Sequence, residues 1–591
     1  MTRVLTLSFL AALCVPAQDT RTHLLSGRVL DPASAAVANA TIRLYSRDNS
    51  LQRTTASGPG GEYRLDRLPA GEYLLEASSD GLDQAKPVTV HLSGRDAEVD
   101  LKLEIGALAT RVLVTASSTP QSTVEAGKAM DIIDNSELSR RDEIIVGEAV
   151  RLTPGLRVQQ LGGPGSFTRI QIRGLRAADT GLLMDGMRFR DVAAVQGDAT
   201  GYLGDLQLVA ADRIEVLRGL GSTIYGTNAT AGVINVVTDQ GGGPVRGELS
   251  GEGGGLGLFR GLARVSGGVK NDRLQYTAGL ARLNVDGGVD GVESVGNTSG
   301  QGYLLWRPSA GASLSGRVFG AGSRVGINSS PAAAPASNLP SSVTIAAVPL
   351  AHEQMLLGDQ GKPFQWGNAT FGPNFRDPDS SRQGMFVSSL IQWNQQVAPR
   401  WSYRASYQAV VSNRDSRNGP MGLGYQPAYD SSSVFAGRLD TVQARTDLSL
   451  TRWNLLSAGY EWEREFYENP SSDANPNPAQ RVNARASATQ RSQAVFVQDQ
   501  MRLLNERLQV ALSGRFQNFD LTRPQFEGGA VRRLTPHQTL TPGMRRFRTF
   551  CPTAPPSCGR TLATDTGRRR CMSGSARRFT LGRSARWAIR G

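Results

Sequence analysis

The chain has 591 residues, 39% of them hydrophobic, with a formal net charge of +13 and four cysteines. That length exceeds one ordinary core, so several domains are expected. From Arg532 onward there are fourteen arginines, no lysine and a single acid, Asp565, so the body before the tail sums to zero and is not a basic nucleic-acid-binding surface.

The elements follow in chain order. Arg3, the apolar run Val4 to Leu13 and the small-residue site Val15-Pro16-Ala17 predict a secretory signal over residues 1–17. Cys14 follows Leu13, whereas a lipoprotein signal wants a small residue there. Beyond this segment no run of about 18 apolar residues occurs, so no transmembrane helix is expected. Cys551, Cys558 and Cys571 lie in the tail, which leaves the mature body neither a disulfide framework nor a thiolate metal site.

Residues 24–104 read as a small β-sandwich: runs such as Thr41-Ile-Arg-Leu-Tyr45 and Tyr73-Leu-Leu-Glu-Ala77 are separated by the turn signals Gly58-Pro-Gly-Gly61 and Pro69-Ala-Gly71. Residues 117–240 are glycine-rich and mixed α/β. A helical segment is predicted over Ser136 to Leu152, capped by Ser136 and stopped by Pro154-Gly155. Strand-like runs follow at Arg169–Arg173, Leu182–Asp185, Arg213–Arg218 and Gly232–Thr238.

From about residue 245 the period becomes two. Trp401, Tyr403, Ala405, Tyr407 and Ala409 alternate with Ser402, Arg404, Ser406 and Gln408. Leu456, Ala458, Tyr460 and Trp462 alternate likewise with Ser457, Gly459, Glu461 and Glu463, and a third run spans Leu508 to Phe516. Half-buried strands of a soluble sandwich would also alternate. In an exported, cysteine-free body the pattern also suits membrane-spanning barrel strands, about ten residues each, and the motifs quoted below favour that reading. Residues 321–380, rich in Ala, Pro, Ser and Gly, read as one long loop. Catalytic readings find no support. His23, His91, His352 and His537 show no metal-ligand spacing, and Gly253-Gly-Gly-Leu-Gly257 lacks the strand-then-helix setting of a dinucleotide loop.

Several motifs carry a resemblance. Ser26-Gly-Arg-Val-Leu-Asp31 and Gly61-Glu-Tyr-Arg-Leu-Asp-Arg-Leu-Pro-Ala-Gly-Glu-Tyr73 resemble the carboxypeptidase-regulatory-like domain, which implies a non-catalytic sandwich. Ile172-Arg173-Gly174, Met184-Asp185-Gly186, Arg213 to Arg218-Gly219, and Tyr225-Gly226 to Thr238 with Gly232 and Asn235 occur in that order and resemble the plug of TonB-dependent outer-membrane receptors. Ala494 to Gln500 and Leu508 to Arg515 resemble a barrel hairpin of the same family.

The resemblance implies that the arginines of the two Arg-Gly motifs, Arg173 and Arg218, pair with barrel acids, for which Glu461 and Glu463 are the candidates. The alternative reading makes them ordinary lumen acids exposed to water. Thr110 to Ala116, with Arg111, Val112, Leu113, Val114 and Thr115, resembles the TonB box, an extended segment able to add as a strand to a periplasmic partner. A plain interdomain linker is the alternative for that segment.

About 290 residues remain between the plug and Arg532, room for about half of the 22 strands of the family barrel at about ten membrane-spanning residues per strand plus loops, so residues 245–531 are expected to form only a partial barrel. The basic tail, 532–591, shows neither alternation nor a helical stripe. Thr566 to Gly574 can be encoded so that a two-base shift reads Arg-Ala-Pro-Ser-Leu-Tyr-Glu-Arg, whose Arg-Ala-Pro resembles a motif the family carries in a later strand. Out-of-frame translation of the tail is therefore expected, with a disordered basic extension as the alternative.

The expected fold is mainly β: an N-terminal β-sandwich, a mixed α/β plug and an incomplete transmembrane antiparallel β-barrel. The expected function is uptake of a scarce large ligand (a ferric siderophore, cobalamin or an oligosaccharide) across the outer membrane, without cofactor, metal or nucleic acid. Its expected partners are outer-membrane lipid and the inner-membrane transducer TonB with its proton-driven complex, and the N-terminal domain is expected in the periplasm. The alternatives are a surface adhesion protein that never transports and a non-functional remnant.

Overall fold

A computed structural model of the chain describes residues 22–528, apart from 106–111, 114–120, 123–128 and a few shorter stretches, together with the backbone of 546–549. The expected signal, most of the basic tail, and Arg111, Val114 and Thr115 lie outside the described residues.

The N-terminal unit is a nine-stranded β structure whose hydrogen-bonded path begins at the edge strand Leu51–Ala56, continues through Thr41–Ser46 and Gly71–Ser79, and ends on Thr22–Leu30 and Glu62–Pro69. Alternation along Thr22–Leu30 turns Leu25 and Val29 inward, where they are fully buried with Ile42, Leu44 and Leu75. Tyr63 and Tyr73 bury their rings in this core and donate their hydroxyls to the carbonyls of Val99 (2.6 Å) and Pro69 (2.8 Å), so neither polar end is stranded.

The second unit is a five-stranded sheet in the order Ala129–Asp134, Ala211–Arg218, Gly232–Thr238, Thr180–Met184, Met187–Phe189. Gly232–Thr238 and Thr180–Met184 run parallel, and the other pairs are antiparallel. The helix ahead of it is shorter than expected. Asn135–Arg141 is capped by Asp134, whose carboxylate accepts from the Glu137 N–H at 2.8 Å, rather than by Ser136. Asp142 then turns left-handed (φ 51°) and ends it, and a second short helix forms at Val146–Ala149. The break lets Ile145 bridge to Gln207.

Residues 246–549 supply one antiparallel sheet in which twelve strands follow one another from Arg246–Gly253 to Arg546–Thr549, with Gln525–Glu527 beside Asn483–Leu503. Exposed apolar side chains alternate with buried polar ones. Trp401, Tyr407, Tyr460, Val495, Val497, Leu512 and Phe516 point outward, while Ser406, Gln408, Glu461, Glu463, Gln498, Arg515 and Gln517 are buried. This inside-out pattern is what lipid outside and a polar lumen inside require.

Hairpins at one end are short (Val269 to Leu274, Ser309 to Ala312, Thr451 to Asn454), and those at the other are long (Val285 to Val295, Asn418 to Ser431). The longest connection is shorter than expected: 321–326 belong to the strand Ala312–Gly326, and the loop begins after it. This loop carries the helix His352–Asp359 and a small core of Ala332, Leu350, Met355 and Ala369 against Phe364 and Trp366. The five-stranded sheet sits within the curved sheet, and the two share one apolar cluster in which Phe189 and Tyr202 meet Phe319, Phe386, Val410 and Leu439.

Candidate functional site

The glycine-rich motifs build turns that face the lumen. Asp185 and Gly186 form the two-residue turn between Thr180–Met184 and Met187–Phe189, with φ of 51° and 83°. That geometry suits a type I′ turn, which tolerates Asp and Gly. Gly186 N–H donates to the Asn235 side chain at 2.9 Å. One Asp185 oxygen accepts from the Thr238 N–H, and the other accepts from the Thr238 hydroxyl and meets Arg317 of the outer sheet at 2.9 Å. Tyr225 packs in a small cluster with Leu183, Leu217 and Val233. Gly226 lies so close to Arg188 that a Cβ would stand 2.8 Å from its guanidinium.

Beyond that turn, Arg188 and Arg190 point along the same face and meet a comb of three glutamates. Glu461, Glu463 and Glu465 occupy alternate positions of the strand Asn454–Asp473, so all three face inward. Arg188 reaches Glu461 at 2.5 Å and Glu463 at 2.8 Å, and Arg190 bridges Glu463 and Glu465. Arg515 of the outer sheet closes on Glu461 at 2.6 Å. The cation and carboxylate teeth share a two-residue spacing, which is why they mesh.

Elsewhere the polarity is reversed. Asp191 meets Arg414 at 2.8 Å and Asp205 meets Arg382 at 3.0 Å, the acids now on the inner unit. Burial pushes the carboxyls of Asp185, Asp191 and Asp205 up, and the facing arginine opposes it in each case.

The expected pairing is therefore corrected. Glu461 and Glu463 do hold arginines of the inner unit, but these are Arg188 and Arg190. Arg218 lies against Asp131 at 2.8 Å and donates to the Pro154 carbonyl at 3.1 Å, and Arg173 is exposed in a left-handed turn (φ 52°) followed by Gly174. Gly219 and Gly232 flank a strand pair, and a Cβ at Gly232 would strike the Leu217 carbonyl. Arg188, Arg190 and Glu465 went unread in the sequence, and Arg515 was read only as part of a barrel-hairpin motif. Met187-Arg-Phe-Arg190 and Glu461 to Glu465 share the same two-residue spacing, but that spacing alone does not say which plug arginines meet which wall acids.

At the long-loop end a cavity of about 810 Å³ opens between the inner unit's loop 161–167 and the outer sheet. Leu161, Phe167, Leu256, Val295 and Ile327 make its wall largely apolar, and Arg169, Arg382, Arg414 and Asp198 place charge on it. Of the TonB-box segment, Val112 and Leu113 form a two-residue strand antiparallel to Gln121 and Ser122.

Three family models match the chain: the carboxypeptidase regulatory-like domain over 25–104, the TonB-dependent receptor plug domain over 122–233, and the TonB dependent receptor-like β-barrel over 352–543. This chain belongs to the TonB-dependent receptors. Solved receptors share the fold at low identity. The ferric yersiniabactin uptake receptor from Yersinia pestis is 16% identical, with TM-score 0.51 over 68% of this chain and 61% of that one. The ferripyoverdine receptor of the Pseudomonas aeruginosa outer membrane is 13% identical, with TM-score 0.56 over 73% and 58%. The ferric-catecholate import receptor from E. coli K12 is 14% identical, with TM-score 0.53 over 74% and 66%. The chain thus spans about three fifths of the first receptors it matches. In the receptor the inner unit is the plug and the curved sheet is the barrel wall, and the family is one of transport receptors rather than enzymes.

Proposed function

We propose that the chain is the plug-bearing part of an outer-membrane uptake receptor. On this reading it captures a scarce, large ligand at the long-loop mouth and releases it inward when TonB pulls residues 110–116. The observation that carries the reading is the plug held by buried ion pairs inside a wall whose apolar face looks outward. A buried seam of charges fixes position without covalent chemistry, and it yields to force applied at one end of the plug. The mouth cavity favours a ligand with both apolar surface and charge, as a ferric siderophore has; cobalamin or an oligosaccharide remains within the same reading.

On this reading the short-turn end and the sandwich face the periplasm, because barrel hairpins are short on that side. TonB engagement through strand addition needs main-chain donors in residues 110–116. Val112→Pro removes one of them. Purified full-length chain is mixed with the periplasmic domain of TonB, and binding is followed by titration calorimetry. The variant is expected to lose binding that the parent shows. Equal binding by both proteins would sink the assignment of the box, and absence of binding by the parent would sink the uptake reading.

A further inference from the structure

The sandwich, the plug and the barrel wall enclose a second cavity, of about 310 Å³, at the short-turn end. Its inner side is the plug, at Asp185, Thr238 and the run Asp239 to Val245; its outer side is the wall, at Tyr303, Arg317 and Arg404. Sandwich residues Arg43, Tyr45 and Thr54 roof it. The chamber thus lies where plug and wall part company on the inward side, and the Asp185–Arg317 pair stands at its inner end.

The roof is joined to the rest quite differently from the way plug is joined to wall. Plug and wall share a continuous apolar cluster, whereas among the described residues the sandwich core contains no plug or wall side chain. What crosses the joint is polar. Arg43 meets Asp212 of the plug at 3.0 Å, both partly exposed, and Gln396 of the wall donates to the Ala70 carbonyl at 3.3 Å. Thr54 rests on Gly242 and Gly243. Arg53 is buried at the same joint, and Asp272 of the wall is its foremost charged neighbour. A joint with a void, polar contacts and no shared core resembles a reversible interdomain contact.

We infer that the sandwich is a releasable cap over an inward vestibule between plug and barrel wall, latched by Arg43 and Asp212. The segment expected to be pulled lies between cap and plug in the chain, so tension reaches both. The joint without an apolar core yields first, and the vestibule opens before the plug leaves its seat. This purpose rests on the uptake reading; the latch itself does not.

The mature body lacks cysteine, so a single reporter thiol can be placed in the chamber. In full-length chain carrying Cys14→Ser, Cys551→Ser, Cys558→Ser and Cys571→Ser, Gln240→Cys lines the cavity. Its maleimide labelling rate in detergent is expected to rise two- to fivefold, roughly, with Arg43→Ala, the range a partly exposed ion pair supports. Added salt should speed the parent but not that variant. Gly71→Cys with Gln396→Cys, adjacent across the joint, should on oxidation restore slow labelling even with Arg43→Ala, which a misfolded protein could not do. Labelling unchanged both by Arg43→Ala and by oxidation would overturn the cap. Because the assay needs neither cargo nor TonB, that result leaves the uptake reading standing, and failure of TonB binding leaves the cap standing.

Discussion

At the residue scale, the decisive contacts are the buried guanidiniums of Arg188 and Arg190 between three glutamates. Bringing charges out of water is costly, so such groups are tolerated only when paired, and removing one partner strands the other. Glu463 is the middle tooth and touches both arginines. Glu463→Gln is expected to destabilise the seated plug by about 3 kcal/mol, the scale for breaking one side of a buried pair. Hydrogen exchange would show it as faster exchange of the Met187–Phe189 amides, and unchanged protection would refute it. The acids of this site were legible in the sequence because Glu461 and Glu463 fall on the polar face of an alternating run. Their partners were not. The Arg-Gly motifs advertise backbone geometry, as the left-handed φ of Arg173 shows, and not where the guanidinium goes. Partner identity depends on how plug and wall register against each other, and no local pattern encodes that.

At the element scale, strands that alternate bulky apolar with polar residues could be read directly, and Trp401 to Ala409 is the clearest. Runs of small residues could not. Ala321 to Gly326 continues a strand, yet Ala, Gly and Ser carry so little apolar contrast that the alternation vanished into loop-like composition. The helix boundary failed for a related reason: Asp134 and Ser136 are both good caps, and only the geometry selects between them. The outward face makes a claim of its own. Ile391 is 57% exposed near the middle of Ser381–Ala398, flanked by exposed Met385 and Val387. Ile391→Arg is expected to cost about 2–4 kcal/mol if that face meets the bilayer midplane. Folding titrations into lipid vesicles measure this; a cost near zero would mean the face meets water.

At the scale of the whole molecule, the sheet is open. Among the described residues, the edge strands Arg246–Gly253 and Arg546–Thr549 do not pair with each other. Lipid cannot satisfy unpaired strand edges, so a working wall needs further strands between them. Exposed Leu152, Arg173 and Leu175 on the plug would then be covered. Resequencing the gene across codons 520 to 591 and beyond tests this. The expected result is a frame that continues into alternating strands after the position where the arginine-rich tail begins. Absence of barrel sequence in every frame would instead leave this product unable to form a closed wall.

The comb has a mechanical consequence. Each arginine sits between two glutamates rather than on one, and the teeth repeat every second residue. If the plug slides toward the short-turn end by one repeat, about 7 Å along the strand, Arg190 arrives between Glu461 and Glu463 as Arg188 vacates that place. Arg188 keeps Glu461 but meets Gly459 where Glu463 had been, so one of the four arginine–glutamate contacts is lost and three remain. The seam therefore gives way by a single contact at the first step, and its resistance to pulling starts as that of one tooth rather than of the whole comb.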